Sequence, residues 1–330
     1  GLLHERHLAQ PELAPARVLN LIVVVDRDWK GEIANRLERV GRYHASRTIL
    51  CAVEAGRKTL DAVAVMRYDP SPGGTLGVVH EQVEIDLGSG HLKRVDTIID
   101  PVKVPDLTTM LWVPHGHDEA LESLADMVDV FLLDSDDQDE PKASLCRSAK
   151  LLESAYVVDL AWLRTTPWRE RLASSFDPPH RREALDTVRE LTVRHRPSSK
   201  ASAALLAGWL GSRLGWRVGG FDGGDRAVRR GRASANGSGS DVTITLEPHE
   251  QDAPGLAGVT VAWAENCSLS LDRSTGGLLA CQRGTDSERQ WRILGASRGE
   301  AGILGEGVRQ ALLRDPTYGP ALTTAQEIAE

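Results

Sequence analysis

The chain has 330 residues, 41% of them hydrophobic and 26% charged, with a formal net charge of −8. At roughly 100–200 residues per domain, that length predicts two domains and room for a large core. The acidic balance argues against a nucleic-acid binder, which works through a basic footprint. The longest apolar run, 18–25 with Asn20 inside it, is far short of the roughly 20 residues that cross a bilayer. No charged segment followed by an apolar one marks a secretory signal, so a cytoplasmic location is expected. Tryptophan is in surplus: 8 Trp stand against 4 Tyr and 3 Phe. Trp anchors cores and interfaces alike.

In chain order, residues 1–16 are polar with two prolines and predict an arm. The run 17–25 is dense in Val, Ile and Leu, as in a strand buried on both faces. Ile33, Leu37 and Val40 give 30–43 the spacing of an amphipathic helix. Strands are predicted at 48–53, 60–68 and 78–87, with Pro-Ser-Pro-Gly-Gly at 70–74 as the turn between the last two. Then come a helix over 92–102, a strand over 107–113, a helix over 118–127 and a strand over 128–133. This alternation predicts an α/β fold. The stretch 142–176 reads as mostly helical, broken by Pro167, and 187–193 as a strand. A helix over 198–214 follows, with Ser198 as its N-cap and Gly215 just past its end. The Gly/Ser/Arg-rich stretch 219–240 predicts a linker or exposed loop. Beyond it, five alternating segments between 241 and 294 predict an antiparallel meander, and helices over 300–314 and 323–330 close the chain. The expected architecture is therefore α/β, α+β overall. A mixed α/β sandwich over 17–218, with a helical block at 142–215, precedes a C-terminal antiparallel β-rich domain with terminal helices over 241–330.

Catalytic signatures are mostly absent. There is no phosphate-cradle GxxxxGK[ST], no GxGxxG (Gly219 to Gly224 lacks the spacing) and no GxSxG. His4 and His7 lack the i,i+4 spacing of a zinc-binding helix. No cofactor, no metal and no catalytic residue is assigned. Cys51, Cys146, Cys267 and Cys281 form no zinc pattern; Cys51 reads as a buried hydrophobe, and Cys267 and Cys281 could face each other across a hairpin. Asp134, Asp136, Asp137, Asp139 and Glu140 lack the Gly and Glu that an EF-hand needs, so a solvated acidic loop is expected. His115 and His117 read as solvent-exposed rather than as metal ligands with His80 or His91. The stretch 164–200 holds nine Arg/Lys against five Asp/Glu. That pattern suits either helices laced with ion pairs or a docking patch for an acidic partner.

Several segments together resemble one family. They are 17–25 as its opening strand, His44-Ala45-Ser46-Arg47-Thr48-Ile49-Leu50, His80-Glu81-Gln82-Val83, Pro105-Asp106-Leu107 and Met110-Leu111-Trp112-Val113-Pro114, and Asp134-Ser135. They continue with Asp159-Leu160-Ala161-Trp162, Thr166-Pro167-Trp168-Arg169-Glu170, Phe176-Asp177 and Leu205-Leu206-Ala207-Gly208-Trp209-Leu210. The family is that of the glucose-6-phosphate dehydrogenase assembly protein OpcA, and the resemblance runs from 17 to about 217. Ala45, Thr109 and Val113 depart from its pattern.

The resemblance implies a protein with no catalytic activity of its own. It implies binding to glucose-6-phosphate dehydrogenase, favouring that enzyme's active oligomeric form in the oxidative pentose phosphate pathway. In cyanobacterial members the role is linked to thiol redox state, and no cysteine here matches such a switch. A partner interface needs aromatic and Arg anchors. Trp168, Arg169 and Arg164 are the first candidates, followed by Trp162, Arg171, Phe176 and Trp112, the last expected near a loop surface; the competing reading is that Trp162, Trp168 and Phe176 pack the core while the arginines pair with local acids. Trp209 is expected in the core, and Trp29, Trp216, Trp263 and Trp291 in local packing. The alternative is an enzyme or binding module for a sugar phosphate or nucleotide at the strand ends.

Overall fold

The structure, a computed structural model, describes residues 18–41, 46–69, 78–221, 228–234, 241–264, 266–294 and 300–329. The N-terminal arm with His4 and His7, His44 and Ala45, the turn at 70–74, Gly223 and Gly224 lie outside the described residues. The chain divides into two compact units. Unit 1 holds residues 1–133, 154–158 and 300–314, and unit 2 holds 134–153, 159–299 and 315–330.

Unit 1 is built on β1 (Leu19–Asp26), whose Val, Ile and Leu are buried on both faces. After it come α1 (Lys30–Gly41), β2 (Ser46–Glu54), β3 (Asp61–Asp69) and β4 (Val78–Gly88), then α2 (Val95–Ile99), β5 (Thr109–Trp112), α3 (Asp118–Leu124) and β6 (Val130–Leu133). The sheet has the order β3-β4-β2-β1-β5-β6-β7, β7 being Tyr156–Asp159. β1 pairs in parallel with both β2 and β5, while β3 runs antiparallel against β4. A central parallel strand has no solvent face, which is why its run is continuous rather than alternating. Asn20 interrupts that run for a reason: it is wholly buried, and its side-chain amide exchanges two hydrogen bonds of 2.9 Å with the Val104 backbone. It thus fastens the loop before β5 to β1. Arg47 and Glu81 lie opposite each other on β2 and β4. They form a buried ion pair, Arg47 Nη2 to Glu81 Oε2 at 2.7 Å, while Arg47 Nη1 donates to Val102 O at 2.8 Å.

Unit 2 carries α4 (Pro141–Leu152), α5 (Leu160–Ser175), the short α6 (Pro179–Arg182), β8 (Val188–His195) and α7 (Lys200–Leu214). Strands β9 (Arg217–Phe221), β10 (Arg229–Ser234), β11 (Asp241–Pro248), β12 (Leu256–Trp263), β13 (Cys267–Ser274), β14 (Gly277–Gly284) and β15 (Ser287–Leu294) follow. After α8 (Glu300–Gln310), which packs against α1 in unit 1, α9 (Tyr318–Ala329) ends the described chain in unit 2. The sheet of unit 2 has eight strands in the order β15-β14-β13-β12-β8-β11-β10-β9.

Three expectations are corrected. The sheet is mixed rather than antiparallel, because β11 pairs in parallel with β8. The stretch 219–240 is not a plain linker: its described residues include the end of β9 and all of β10, paired within unit 2, while 222–227 and 235–240 lie outside the described residues. The helical block at 142–176 contains β7, a strand too short to show a period, and Pro167 does not break α5. Buried Trp162, Leu163, Trp168 and Leu172 on both sides of the proline hold the helix in register despite the lost backbone bond.

α7 is buried almost all round, lying between the sheet and α9. Its close approach to α9 depends on Gly208. A Cβ there would fall inside contact distance of the Ala321 carbonyl oxygen and 2.8 Å from the Ala325 amide nitrogen. Backbone cannot yield as a side chain can, so overpacking costs at the upper end of its usual range. Gly208→Ala is expected to cost about 3 kcal/mol in urea unfolding, and an unchanged midpoint would show that α9 is free to move away.

Candidate functional site

In a parallel α/β sheet the natural ligand crevice lies at the carboxyl ends of the strands. In unit 1 that place is occupied by charge. Asp26 ends β1, and a 3-10 turn, Arg27–Trp29, leads into α1. His117 Nε2 lies 3.0 Å from Asp26 Oδ1, and the Asp26 amide donates to His115 Nδ1 at 3.2 Å. Trp29, 48% exposed, packs on the His115 ring with centroids 5.6 Å apart. Lys30 Nζ lies 2.9 Å from both Glu84 and Asp86, and Arg27 Nη1 lies 2.8 Å from Asp86. Burial pulls the Lys30 ammonium down, but Glu84 and Asp86 outweigh it and hold it above its ordinary value. The two histidines are thus engaged with Asp26 rather than free in solvent. Among the described residues, no group of three His, Cys, Asp or Glu side chains is placed to hold a metal.

The tryptophan-rich block lies in unit 2, mostly inside it. Trp168 is 1% exposed, Trp162 3% and Phe176 6%. Arg169 lies flat on Trp162, 3.6 Å from its ring centre, and both reach Asp315: Trp162 Nε1 donates at 3.0 Å and Arg169 Nη1 at 3.5 Å. Phe176 packs edge-on to Trp263, and Arg273 lies over Trp168. Arg171 is half-buried, with an Nε that has no hydrogen-bond partner among the described residues. The expected ranking of the tryptophans is reordered. Trp209 is half-buried rather than core, and Trp112, in unit 1, is 5% exposed at the end of β5 rather than at a loop surface. Trp29 is exposed rather than packed away. The cysteines are all free. Cys281 faces Ser270 and Gln290 across its neighbouring strands rather than Cys267, so the two do not meet across the hairpin.

The acidic run is not a solvated loop at its start. Arg164 clamps Asp134 through two bonds, Nη1 to Oδ1 at 2.7 Å and Nη2 to Oδ2 at 2.6 Å, and both side chains are under 10% exposed. Asp136 accepts from the Ser202 amide at 3.0 Å and from its hydroxyl. It therefore caps α7 from outside, because Ser199, the actual N-cap residue, turns its hydroxyl to the Gly255 amide instead. Only Asp139 and Glu140 stay exposed with Asp137. Sequence reasoning missed this role of Asp136. Ser198 reads as the cap of that helix, and nothing local ties Asp136 to a residue 66 positions on. Asp159 caps α5 by accepting from the Ala161 amide at 2.9 Å. It also accepts from the Ser135 amide at 3.0 Å, the Ser135 hydroxyl at 2.6 Å and the Tyr318 hydroxyl at 3.1 Å.

These carboxyls differ from free ones. Burial, then the charge of Asp134, push Asp136 above the ordinary range. Burial pushes Asp159 up to about 6, against the pull of its Ser135 hydrogen bonds. A raised folded value means the folded state holds its proton while the unfolded state has released it. Asp159 then adds stability that is full below about pH 4 and is lost as pH rises through about 6. Asp159→Asn fits the same partners: its oxygen accepts from the two amides and its NH2 donates to the two hydroxyls. In urea unfolding between pH 4 and 7, the variant is expected to gain on the wild type as pH rises. A gain by the wild type instead would place an ionised carboxylate in the folded site.

Two family models match, both for a glucose-6-phosphate dehydrogenase subunit: that of its N-terminal domain over residues 37–150 and that of its C-terminal domain over residues 155–322. A protein of Synechococcus elongatus described as a putative OxPP cycle protein OpcA is 29% identical over 141 residues, covering 42% of this chain and 32% of that one. Its counterpart in Synechocystis sp. is 30% identical over 132 residues, covering 39% and 28%. The matched region is about a third of the length of these relatives. Among solved structures, a levoglucosan dehydrogenase in complex with NADH and L-sorbose aligns with a TM-score of 0.51 at 10% identity, covering 95% of this chain and 96% of that one. The transcriptional regulator Gal80p of Kluyveromyces lactis aligns with a TM-score of 0.52 at 8% identity, covering 98% and 93%. These likenesses show the fold, and a fold shared by a dehydrogenase and a regulator does not select between them. The residues at the end of β1 do not fit the dinucleotide of the first: one glycine, Gly31, stands where a phosphate-binding turn needs three, and Asp26 is a carboxylate. No described helix is long and apolar enough to cross a membrane. By the matches to both of its domains, the chain belongs to the OpcA family of glucose-6-phosphate dehydrogenase subunits.

Proposed function

We propose that this protein is a non-catalytic assembly factor that binds glucose-6-phosphate dehydrogenase and favours its active oligomeric form. The observation that carries this reading is the match to both domains of the family over most of the chain. The chemistry of the block supports it. Asp134, Asp136 and Asp159 each have their oxygens filled by the chain's own donors. A catalytic acid or base needs an open side toward a substrate.

Of the seven candidate contact residues, Trp112, Trp162, Trp168 and Phe176 act from below the surface, three of them as packing that fixes α5. Arg164 and Arg169 are spent on Asp134 and Asp315. Arg171 is the member that stays half-exposed, although its Nε is itself buried, and Arg182 and Arg189 are exposed beyond it. On a chain of net charge −8, this stretch is a local positive patch, suited to steer and orient an acidic surface of the enzyme. Activation requires tighter binding to the active state than to the inactive one; about 1.4 kcal/mol of difference shifts the equilibrium tenfold.

The isolated protein is expected to turn over nothing, to co-elute with its cognate dehydrogenase at about 10 μM and to raise that enzyme's activity. Failure to bind at that concentration would sink the reading. A saturable thermal shift with a sugar phosphate, without the enzyme, would favour the binding-module alternative. Charge reversal at Arg171 and Arg182 together is expected to weaken co-elution about tenfold while leaving the unfolding midpoint unchanged. Trp168→Ala is expected to do the reverse at the level of folding, costing about 3–5 kcal/mol of stability.

A further inference from the structure

We infer that unit 1 takes no dinucleotide: the strand-end crevice in which its fold type holds one is closed by the chain's own charges. Such a site has three parts: a glycine turn that lets backbone approach the pyrophosphate, a helix N-terminus with free amides, and an acid at the end of the second strand for the ribose.

Here the glycine turn is missing, the ribose acid is spent and the helix N-terminus has lost its first amide. Between Asp26 and Arg36, Gly31 is the one glycine, and it lies inside α1 rather than in the turn before it. The turn itself is Arg27-Asp28-Trp29, three large side chains in 3-10 geometry. That turn also consumes the first amide of α1, because Lys30 N–H is bonded to Arg27 O. The acid at the end of β2 is Glu54, and Arg57 holds it at 2.7 Å while also pairing with Asp61.

The local charge is of the wrong sign as well. Asp26, Asp28, Glu32, Glu84 and Asp86 gather at the start of α1 and the facing end of β4. The nearby cations Arg27 and Lys30 are bound to Asp86 and Glu84. A pyrophosphate brought here meets Asp26, already paired with His117, and a first helical amide already given to Arg27 O, so the repulsion is not offset. Trp29, stacked on His115, covers the same corner.

Trp29 also provides the test. The full chain, with no partner present, is titrated with NADH and NADPH to about 1 mM, reading energy transfer from indole to nicotinamide and the unfolding midpoint. The expected result is no saturable transfer and no shift of the midpoint. Saturable transfer from the wild type that is lost in Trp29→Phe, or a midpoint rising with nucleotide concentration, overturns the inference. The result is independent of whether the dehydrogenase partner binds, so it stands or falls apart from the proposed function.

Discussion

Unit 2 depends on one guanidinium set among carboxylates. Arg164, projecting from α5, clamps Asp134 and lies 3.8 Å from Asp136. Asp134 begins the turn that carries Ser135, Ser135 donates to Asp159, and Asp159 starts α5 and accepts from Tyr318 of α9. Asp136 caps α7. Four elements therefore share one buried positive charge. Removing one partner of such a cluster leaves uncompensated charge behind, which costs about 3–5 kcal/mol, more than the cluster contributes relative to an apolar core. Its worth lies in geometry: each carboxylate fixes a helix start, and only one arrangement satisfies them all.

The same logic recurs in the segments that carry the family resemblance. Arg47 and Glu81, from two of the motifs, are partners across β2 and β4. Asp134 and Asp159 meet through Ser135. Trp162 and Arg169 stack and converge on Asp315. Gly208, at the centre of the Leu-Leu-Ala-Gly-Trp-Leu helix, marks the approach of α9. The motifs are legible in the sequence because buried ion pairs and close helix contacts tolerate few residue types. What they record is the scaffold. A contact surface tolerates more, and leaves a fainter mark.

The fold was legible where a period or a bulk apolar run exists, as at β1, α1, β4 and the hairpins β12 to β15. It was illegible where a tertiary partner overrides local chemistry. β7 has four residues, two of them valines, between two helices, so nothing local separates it from them. Pro167 reads as a helix breaker until Trp162 and Trp168 are seen buried on either side of it. The aspartates at 134–137 read as solvated until Arg164, thirty positions on, is placed against them. Glycine content reads 219–240 as a linker or loop, but Gly231 lies where the Phe221 ring of the neighbouring strand leaves no room for a Cβ.

Under the proposed function the chain acts by binding and has little use for a cleft, and its two units meet that condition in different ways. Unit 1 keeps the strand order of a ligand-binding sheet but fills the strand ends with Asp26, His117, Lys30 and Asp86 in mutual pairs. Unit 2 buries Trp162 and Trp168 of α5 and pairs Arg164 and Arg169 with Asp134 and Asp315, which holds that helix in place. Under the proposed function rigidity matters, because a yielding surface would follow two states of a partner equally well. A ligand with equal affinity for two states shifts nothing, however tightly it binds. On that reading a helix held by packing, with Arg171 near its end, discriminates where a mobile loop would not. The buried tryptophans are then the reason a few surface charges suffice: they fix where those charges stand.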